Sequence, residues 1–113
     1  MTYQIFFSII IPVFNGEKFI KNSVLSYDKN KYRIEIIYIN DGSTDNSLTE
    51  LRNIEMKYNY IKIINQSHYG AGKARNEGLK IASGRYVIFL DIDDYFSFSG
   101  LRMVSWCPSS LSQ

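Results

Sequence analysis

The sequence predicts an α/β domain with three layers and a mostly parallel sheet. Four short apolar runs, rich in β-branched residues, alternate along the chain with three segments whose apolar residues recur at helical spacing. This alternation is typical of a parallel sheet whose right-handed crossover helices cover both faces. With 113 residues and 45% hydrophobic content, the chain is long enough and apolar enough to fold as one domain.

The first strand and the first helix are predicted near the amino terminus. Residues 6–11 are apolar and β-branched, which indicates a buried strand. Pro12 lacks the backbone donor of a strand ladder, so we place the end of the strand there. A turn at Asn15 and Gly16 leads into a helix predicted for residues 17–27. Its apolar face carries Ile20, Val24 and Tyr27.

The second strand is predicted for residues 34–39, and a polar cluster follows it. Thr44 or Asp45 is placed to cap the next helix. The apolar positions of this second helix are Leu48, Leu51, Ile54 and Tyr58. Residues 61–64 predict a third, shorter strand.

The third helix is predicted to begin at the glycine-rich residues 70–72, and residues 86–90 predict the fourth strand. Gly84 is placed to end this helix at the C′ position. The positions expected to face inward are Ala71, Ala74, Gly78, Leu79 and Ala82. Small side chains on this face indicate close packing against the sheet.

Polar clusters follow three of the predicted strands. Phe14 and Asn15 come after the first, Asn40 and Asp41 after the second, and residues 91–93 after the fourth. Ligands of parallel α/β sheets bind at the carboxyl ends of strands, near a switch in strand order. Each cluster taken alone is also explained as a turn, a cap or a solvated end. Together they predict a ligand site on one rim of the sheet.

Asp91 and Asp93 are the candidate metal ligands. In an extended segment their side chains point to the same side, and Asp94 points to the other. Two carboxylates that close repel each other unless a positive charge lies between them. Mg²⁺ or Mn²⁺ suits this place because such ions take oxygen ligands, commonly one or two carboxylates and the phosphates of a substrate. The alternative is a solvated acidic turn.

Charge and cysteine content exclude several classes of protein. The net charge is +2 and no block of basic residues occurs, so nucleic acid is not an expected partner. Cys107 is the only cysteine, which excludes an internal disulfide and a cysteine-based zinc site and fits a reducing compartment. Neither a signal peptide nor a transmembrane segment is predicted. We therefore expect a cytoplasmic protein.

Four motifs together resemble the family 2 glycosyltransferases, which have the GT-A fold. They are IIIPVFN at residues 9–15, INDGSTD at 39–45, ARNEG at 74–78 and FLDIDD at 89–94, and the last contains a DxD motif. Their order and spacing fit the family, and the resemblance spans residues 6–96. The set is specific, although each motif alone is weak.

The resemblance implies a nucleoside-diphosphate sugar, usually a uridine diphosphate (UDP) sugar, and Mn²⁺ or Mg²⁺. The implied donor-binding residues are Pro12, Val13, Phe14, Asn15, Asp41, Arg75 and Asp91. Phe14 would lie against the base, Asp41 would accept a hydrogen bond from the pyrimidine ring, and Arg75 would lie near the base or the diphosphate. Asp91 would be directed toward the ribose or the metal, and Asp93 would be the principal metal ligand.

The implied reaction transfers a glycosyl group to a hydroxyl of a saccharide or lipid-linked acceptor, generally with inversion, as in polysaccharide biosynthesis. The metal would act as a Lewis acid on the departing nucleoside diphosphate. In the family the general base lies beyond the DxD motif, and the sequence offers no candidate for it. The resemblance also suggests a location at the inner face of a membrane.

The domain organisation that follows is a nucleotide-sugar-binding half over residues 1–96 and an irregular tail over residues 97–113. A complete GT-A domain is longer, so the sequence resembles a truncated form. The alternative function is a non-catalytic module that self-associates or pairs with a partner chain, because truncation would leave a sheet edge uncovered.

Two other classes and two basic residues are less favoured. A phosphoacceptor receiver domain needs an acidic pair after the first strand, and a dinucleotide-binding domain needs a Gly-x-Gly-x-x-Gly motif there; the chain has neither. His68 and Lys73 flank the glycine-rich segment and could meet a phosphate. We interpret His68 as a surface loop residue and Lys73 as part of a solvated helix face.

Overall fold

The computed structural model describes residues 5–24 and 30–93. Within them, strands and helices alternate from the first element to the last. The elements are β1 (Ile5–Val13), α1 (Glu17–Ser23), β2 (Tyr32–Asp41), α2 (Ser47–Lys57), β3 (Ile61–Gln66), α3 (Ala71–Ile81) and β4 (Tyr86–Phe89). The predicted four strands and three helices are therefore confirmed. Over these same residues, no helix is long and apolar enough to cross a membrane.

Every strand pairing among the described residues is parallel, and the strand order is β3-β2-β1-β4. From β1 the chain moves outward to β2 and β3, and it then returns to place β4 on the other side of β1. The order therefore reverses next to β1, and such a reversal is where α/β sheets bind ligands. The predicted parallel α/β class is confirmed.

Two apolar layers enclose the sheet because side chains alternate between its faces along each strand. On one face, Ile20 of α1 and Leu51 of α2 are buried in a cluster with Tyr38. On the other face, Ala74 of α3 is buried in a cluster with Ile10. Burial of β1 and β2 runs along almost their whole length. Their carboxyl ends are thus fixed in position by the core.

β1 continues through Pro12 to Val13, so the prediction that Pro12 ends the strand is wrong. Leu90 donates its N–H to the carbonyl of Ile10, which shows that the backbone groups of Ile10 face β4. Alternate residues of a strand face the same edge, so the missing donor of Pro12 also faces β4. β4 ends at Phe89, the partner of Ile10. Pro12 therefore lies beyond the last rung of that ladder and does not interrupt it.

α1 ends at Ser23, earlier than the predicted boundary at residue 27. Val24 already has an extended backbone, with φ −71° and ψ 125°. The Ser23 hydroxyl donates to the Ile20 carbonyl (2.6 Å), and the hydroxyl of Tyr38 lies 2.6 Å from it. The contact with Tyr38 ties the end of the helix to β2. Tyr27, predicted on the helix face, lies outside the described residues.

α2 begins at Ser47 with Asn46 as its N-cap, so the predicted cap at Thr44 or Asp45 is displaced. Asp45 still stabilises the first turn, because its Oδ1 accepts a hydrogen bond from the N–H of Ser47 (2.9 Å). Such local bonds hold the loop that follows β2.

Two predictions for α3 are wrong. Ala71 is exposed rather than facing inward, although Ala74 and Gly78 are buried as expected. Gly84 does not end the helix, since the C-cap is Ala82 with an extended backbone. Gly84 instead allows the turn after α3 to pack closely against β1, because a Cβ there would lie 2.5 Å from the backbone nitrogen of Ser8.

Candidate functional site

A cavity of about 350 Å³ lies at the carboxyl ends of β1, β2 and β4. Seven of the eight predicted site residues line it: Pro12, Val13, Phe14, Asn15, Asp41, Asp91 and Asp93. The eighth, Arg75, approaches the cavity through Asp91, whose Oδ1 lies 3.4 Å from the Arg75 guanidinium. The polar clusters that follow the three strands therefore meet on one rim, as the sequence predicted. Asn40 is the exception: it is buried and donates to Asn65 Oδ1 (2.9 Å).

Asn15 links the loop after β1 to the loop after β2. Its backbone is left-handed (φ 52°), a conformation that asparagine tolerates better than most residues. Its side-chain oxygen accepts hydrogen bonds from the N–H groups of Thr44 (2.7 Å) and Asp45 (3.3 Å). Its own N–H donates to Ser43 Oγ (3.0 Å). These hydrogen bonds hold the neighbouring Phe14 at the rim of the cavity, where 47% of Phe14 is exposed to solvent.

Asp41 is a buried carboxylate at the end of β2, only 3% exposed. Its Oδ1 accepts hydrogen bonds from the N–H of Tyr69 (2.7 Å) and from Gln66 Nε2 (2.9 Å). Its Oδ2 accepts from the N–H of Gly70 (2.9 Å). Burial raises the pKa of Asp41, but the hydrogen bonds from Tyr69, Gln66 and Gly70 outweigh it, so the pKa lies below its ordinary value. Asp41 therefore presents a fixed negative charge at the cavity.

Two glycines allow the loop before α3 to reach Asp41. Gly70 has φ +97°, and its carbonyl accepts the N–H of Ala74 at the start of α3. Gly42 has φ +71°, and a Cβ there would lie 2.6 Å from the nitrogen of His68. Both positions need the left-handed backbone that glycine adopts without strain. The carboxylate of Asp41 thereby ties the end of β2 to the beginning of α3.

Asp91 and Asp93 are exposed on the rim, but not in the predicted extended arrangement. β4 ends at Phe89, and the chain turns at Ile92 and Asp93. Ile92 packs against Gly16, where a Cβ would lie 3.0 Å from Ile92 Cγ2. This contact holds the turn, and both carboxylates line the same cavity. Asp94 lies outside the described residues.

The donor set on the rim fits a hard divalent cation. Within residues 5–24 and 30–93, no three His, Cys, Asp or Glu side chains form a ready-made metal cluster. Asp91 and Asp93 each contribute one exposed carboxylate to the cavity. Mg²⁺ is commonly held by one or two carboxylates together with substrate phosphates, so two protein ligands suit an ion that arrives with a phosphorylated substrate.

His68 is a cavity residue that the sequence reasoning did not assign to the site. Its imidazole packs against the ring of Phe14, with centroids 4.3 Å apart and an interplanar angle of 35°. Its Nδ1 lies 3.0 Å from the carbonyl oxygen of Asp41. The available signal was its position just before Gly70, at the start of a helix that begins on the ligand-binding rim. Lys73, by contrast, pairs with Glu77 (3.5 Å) on the exposed face of α3.

The cavity lies at the switch point of a parallel sheet and is bordered by an aromatic ring and three carboxylates. These features define a Rossmann-like ligand-binding α/β domain. The chain belongs to glycosyl transferase family 2, because residues 8–104 match the sequence pattern of that family. The resemblance of the four motifs is thereby confirmed.

Known proteins support this assignment. The chain is 39% identical to the uncharacterized glycosyltransferase YibD of Escherichia coli over 77% of its length and 26% of YibD. It is 36% identical to the poly(ribitol-phosphate) beta-N-acetylglucosaminyltransferase TarS of Staphylococcus aureus over 85% of its length and 18% of TarS. The chain thus spans about a quarter or less of these two relatives.

Solved structures share the fold. The crystal structure of S. aureus TarS 1-349 in complex with UDP matches with a TM-score of 0.67 and 35% identity, covering 79% of this chain and 28% of that one. The mannosyltransferase PcManGT of Pyrobaculum calidifontis, in complex with GDP-Man and Mn²⁺, matches with a TM-score of 0.66. At 22% identity over 81% of this chain and 28% of that one, the second match shows the shared fold.

Proposed function

We propose that this chain is the donor-binding part of a glycosyltransferase that takes a nucleoside-diphosphate sugar, with UDP as the nucleotide. The observation that carries the proposal is the meeting of Phe14, Asp41, Asp91 and Asp93 at one cavity of a family 2 chain. The similarity to TarS 1-349, a protein crystallised with UDP, supports the choice of nucleotide.

The base would lie against Phe14 and Asp41. An exposed aromatic ring offers a stacking surface for a flat heterocycle. A carboxylate held by three hydrogen bonds from the protein has little freedom to move, so it can accept a ring N–H of uracil in a fixed direction. Pro12 and Val13 form the adjoining wall of the cavity.

The diphosphate would lie at the other end of the cavity, near Asp91, Asp93 and Arg75. Asp93 and Asp91 would hold Mn²⁺ or Mg²⁺, which supplies neutralisation of the charge that develops on the departing nucleoside diphosphate. Arg75 already approaches Asp91, so its guanidinium is close enough to the rim to attract a phosphate oxygen. The side-chain oxygen of Asn15 is engaged within the protein, so Asn15 would act by positioning Phe14.

The complete reaction would transfer the sugar to a hydroxyl of a saccharide or lipid-linked acceptor, with inversion, as part of polysaccharide biosynthesis. Names of relatives support a polymer acceptor: TarS and a Bacillus spizizenii relative are both named for glycosyl transfer to poly(ribitol-phosphate). A cytoplasmic location, including the inner face of a membrane, belongs to this proposal and is supported by the single cysteine.

Calorimetric titration of UDP, with and without Mn²⁺, tests the proposal. We expect metal-dependent binding that Asp93→Ala weakens strongly. Glu55→Ala is the matched control, because Glu55 lies on α2 and pairs with Arg52 away from the cavity. Absence of UDP binding by the unaltered protein at millimolar concentration would contradict the proposal.

The second candidate function is a module that acts through self-association or a partner chain. Phe89 favours it because this large apolar residue is 45% exposed on β4, the edge strand of the sheet that the described residues form. Exposed edge strands pair readily with other chains. Sedimentation across a range of concentrations tests this candidate: a monomer at every concentration counts against self-association.

A further inference from the structure

The imidazole of His68 makes two contacts that define its place in the cavity. One face of the ring lies against Phe14, at a centroid separation of 4.3 Å. On the edge, Nδ1 lies 3.0 Å from the carbonyl oxygen of Asp41 and 3.2 Å from Asp41 Oδ2. A carbonyl oxygen only accepts, so Nδ1 carries the proton and donates it to the carbonyl of Asp41.

Asp41 has room for one more donor besides those that hold it in place. A carboxylate has about four acceptor positions. Tyr69 and Gln66 fill two on Oδ1, and Gly70 fills one on Oδ2. One position on Oδ2 remains, and the imidazole of His68 lies beside this oxygen, with Nδ1 3.2 Å away. A ring N–H of a nucleobase needs that same position, and the flat face of the base needs Phe14.

We propose that His68 competes with the nucleobase of the donor, and that the base binds by displacing the imidazole from Phe14 and Asp41. This inference rests on the proposed function. The base can enter only when the imidazole has left Phe14 and Asp41. The apparent affinity for the nucleotide is therefore the intrinsic affinity multiplied by the fraction of molecules in which the imidazole is already displaced. His68 thereby sets how tightly the nucleotide is held.

Displacement requires only a rotation of one side chain. The backbone around His68 is fixed, since Tyr69 and Gly70 donate to Asp41 and the nitrogen of His68 lies against Gly42. The His68 side chain is 60% exposed, so a path into solvent is open. Rotation of an exposed side chain is fast compared with loop rearrangement, and the loop can stay in place while the imidazole leaves.

The affinity test compares His68→Ala with the unaltered protein by UDP titration in the presence of Mn²⁺. We expect His68→Ala to bind UDP about threefold to tenfold more tightly, because the competitor is gone. Ser67→Ala is the control, since Ser67 is exposed in the same loop and does not line the cavity; its affinity should match that of the unaltered protein.

Three results would overturn the inference, and they separate it from the proposed function. Equal affinity of His68→Ala and the unaltered protein would show that the imidazole does not compete. Weaker binding by His68→Ala would show that the imidazole contacts the bound base. If UDP binds to neither protein, the proposed function fails and the inference fails with it.

A second measurement does not depend on any variant. His68 is the only histidine of the chain, so its Hε1 proton gives a single, assignable NMR signal. We expect saturation with UDP to remove the ring-current effect of Phe14 from this signal. Phe14→Leu without UDP should move the signal in the same direction. A His68 signal that keeps its position while UDP saturates the site would contradict displacement.

Discussion

Two buried carboxylates on β2, Glu35 and Asp41, show how the two ends of one sheet come to have different tasks. They lie on the same face of the strand because they are an even number of residues apart. Glu35 is 5% exposed and Asp41 is 3% exposed, and the pKa of each is lower than its ordinary value. What distinguishes them is the identity of the groups that donate to them.

Two donors of Glu35 belong to the framework of the sheet, and the third, Lys62, is a 46% exposed side chain of β3. Lys62 Nζ of β3 lies 2.7 Å from its Oε1, while Ser8 Oγ of β1 (2.5 Å) and the N–H of Ser83 (2.6 Å) bind its Oε2. Ser8 Oγ in turn accepts the N–H of Gly84 (2.7 Å). Glu35 therefore fastens three strands and the turn after α3 to one another.

Asp41 lines the cavity, and the exposed side chain of His68, which can leave, lies beside it with Nδ1 3.2 Å from Oδ2. We infer that Glu35 acts as a fastener, because the Ser8 hydroxyl and the Ser83 N–H hold one of its oxygens within the sheet. Asp41 can serve a ligand, because it lines the cavity beside the exposed His68. This comparison can be tested by changing each carboxylate and its surroundings in turn.

Glu35→Ala should give the largest loss of stability. It leaves the partly buried N–H of Ser83 and the buried hydroxyl of Ser8 without their acceptor and removes the partner of Lys62. Loss of a buried charged acceptor costs about 3 kcal/mol of the free energy of unfolding. Urea denaturation measures this change. Glu55→Ala, at an exposed ion pair, should change it by less than about 0.5 kcal/mol; similar losses in the two variants would refute the fastening role.

Gly84→Ala should lower the free energy of unfolding by about 2 kcal/mol, because the new Cβ is forced into a packed strand. It would lie 2.5 Å from the nitrogen of Ser8 and 2.6 Å from Ser8 Oγ, so β1 or the turn must move. Thermal and urea unfolding both report the change.

Gly72→Ala is the matched control, because a Cβ at Gly72 would meet no atom of the described residues within 4 Å. Alanine is the better helix former, so this variant should gain about 0.5 to 1 kcal/mol. If both glycine variants were equally stable, the close approach of Gly84 to Ser8 would have no energetic importance.

Asp41→Asn should weaken UDP binding at least about tenfold, because hydrogen bonds to a charged acceptor contribute more than those to a neutral one. Glu35→Gln is the corresponding change at the other end of β2, and it should leave the UDP dissociation constant unchanged. Calorimetry on the two variants compares the ends of the strand directly. Equal effects on UDP affinity would remove the distinction between them.

The pH dependence of stability should contain a contribution from Glu35. Burial raises the pKa of Glu35, but the hydrogen bonds from Lys62, Ser8 and Ser83 lower it by more. The folded-state pKa therefore lies below the ordinary value of 4.5. The unfolded state then binds more protons, so this stabilisation is complete above the ordinary pKa and is lost as the pH falls through the folded-state pKa.

Urea denaturation between neutral and acidic pH measures this loss. The unaltered protein should lose stability on acidification more steeply than Glu35→Gln, which has no proton to bind at that position. Parallel pH profiles for the two proteins would show that the lowered pKa of Glu35 has no consequence for folding.

The fold and most of the cavity could be predicted because both follow from periodicity. Apolar runs gave the strands, and the carboxyl ends of parallel strands share a rim, so Phe14, Asp41 and Asp91 were expected to meet. The failures arise where tertiary contacts decide the local conformation. The turn at Asp93 depends on the packing of Ile92 against Gly16, and no property of the acidic segment alone reveals that contact.

His68 and the partners of Glu35 were beyond the sequence for the same reason. His68 reaches Phe14 only because Gly42 and Gly70 adopt left-handed backbones that bring the loop over Asp41. Glu35 stands in an apolar run whose burial was predicted, but its donors come from β1, β3 and the turn after α3. Contacts between distant segments can be predicted only when the register of the strands is known. The residue pattern of a single strand does not reveal that register.

The most direct test of the donor-binding site is a crystal structure of the chain with UDP and Mn²⁺. We predict the uracil ring against Phe14 with its ring N–H on Asp41, the imidazole of His68 turned away, and the diphosphate beside Asp91 and Asp93. UDP bound elsewhere on the chain, or bound with Phe14 and Asp41 untouched, would contradict the account.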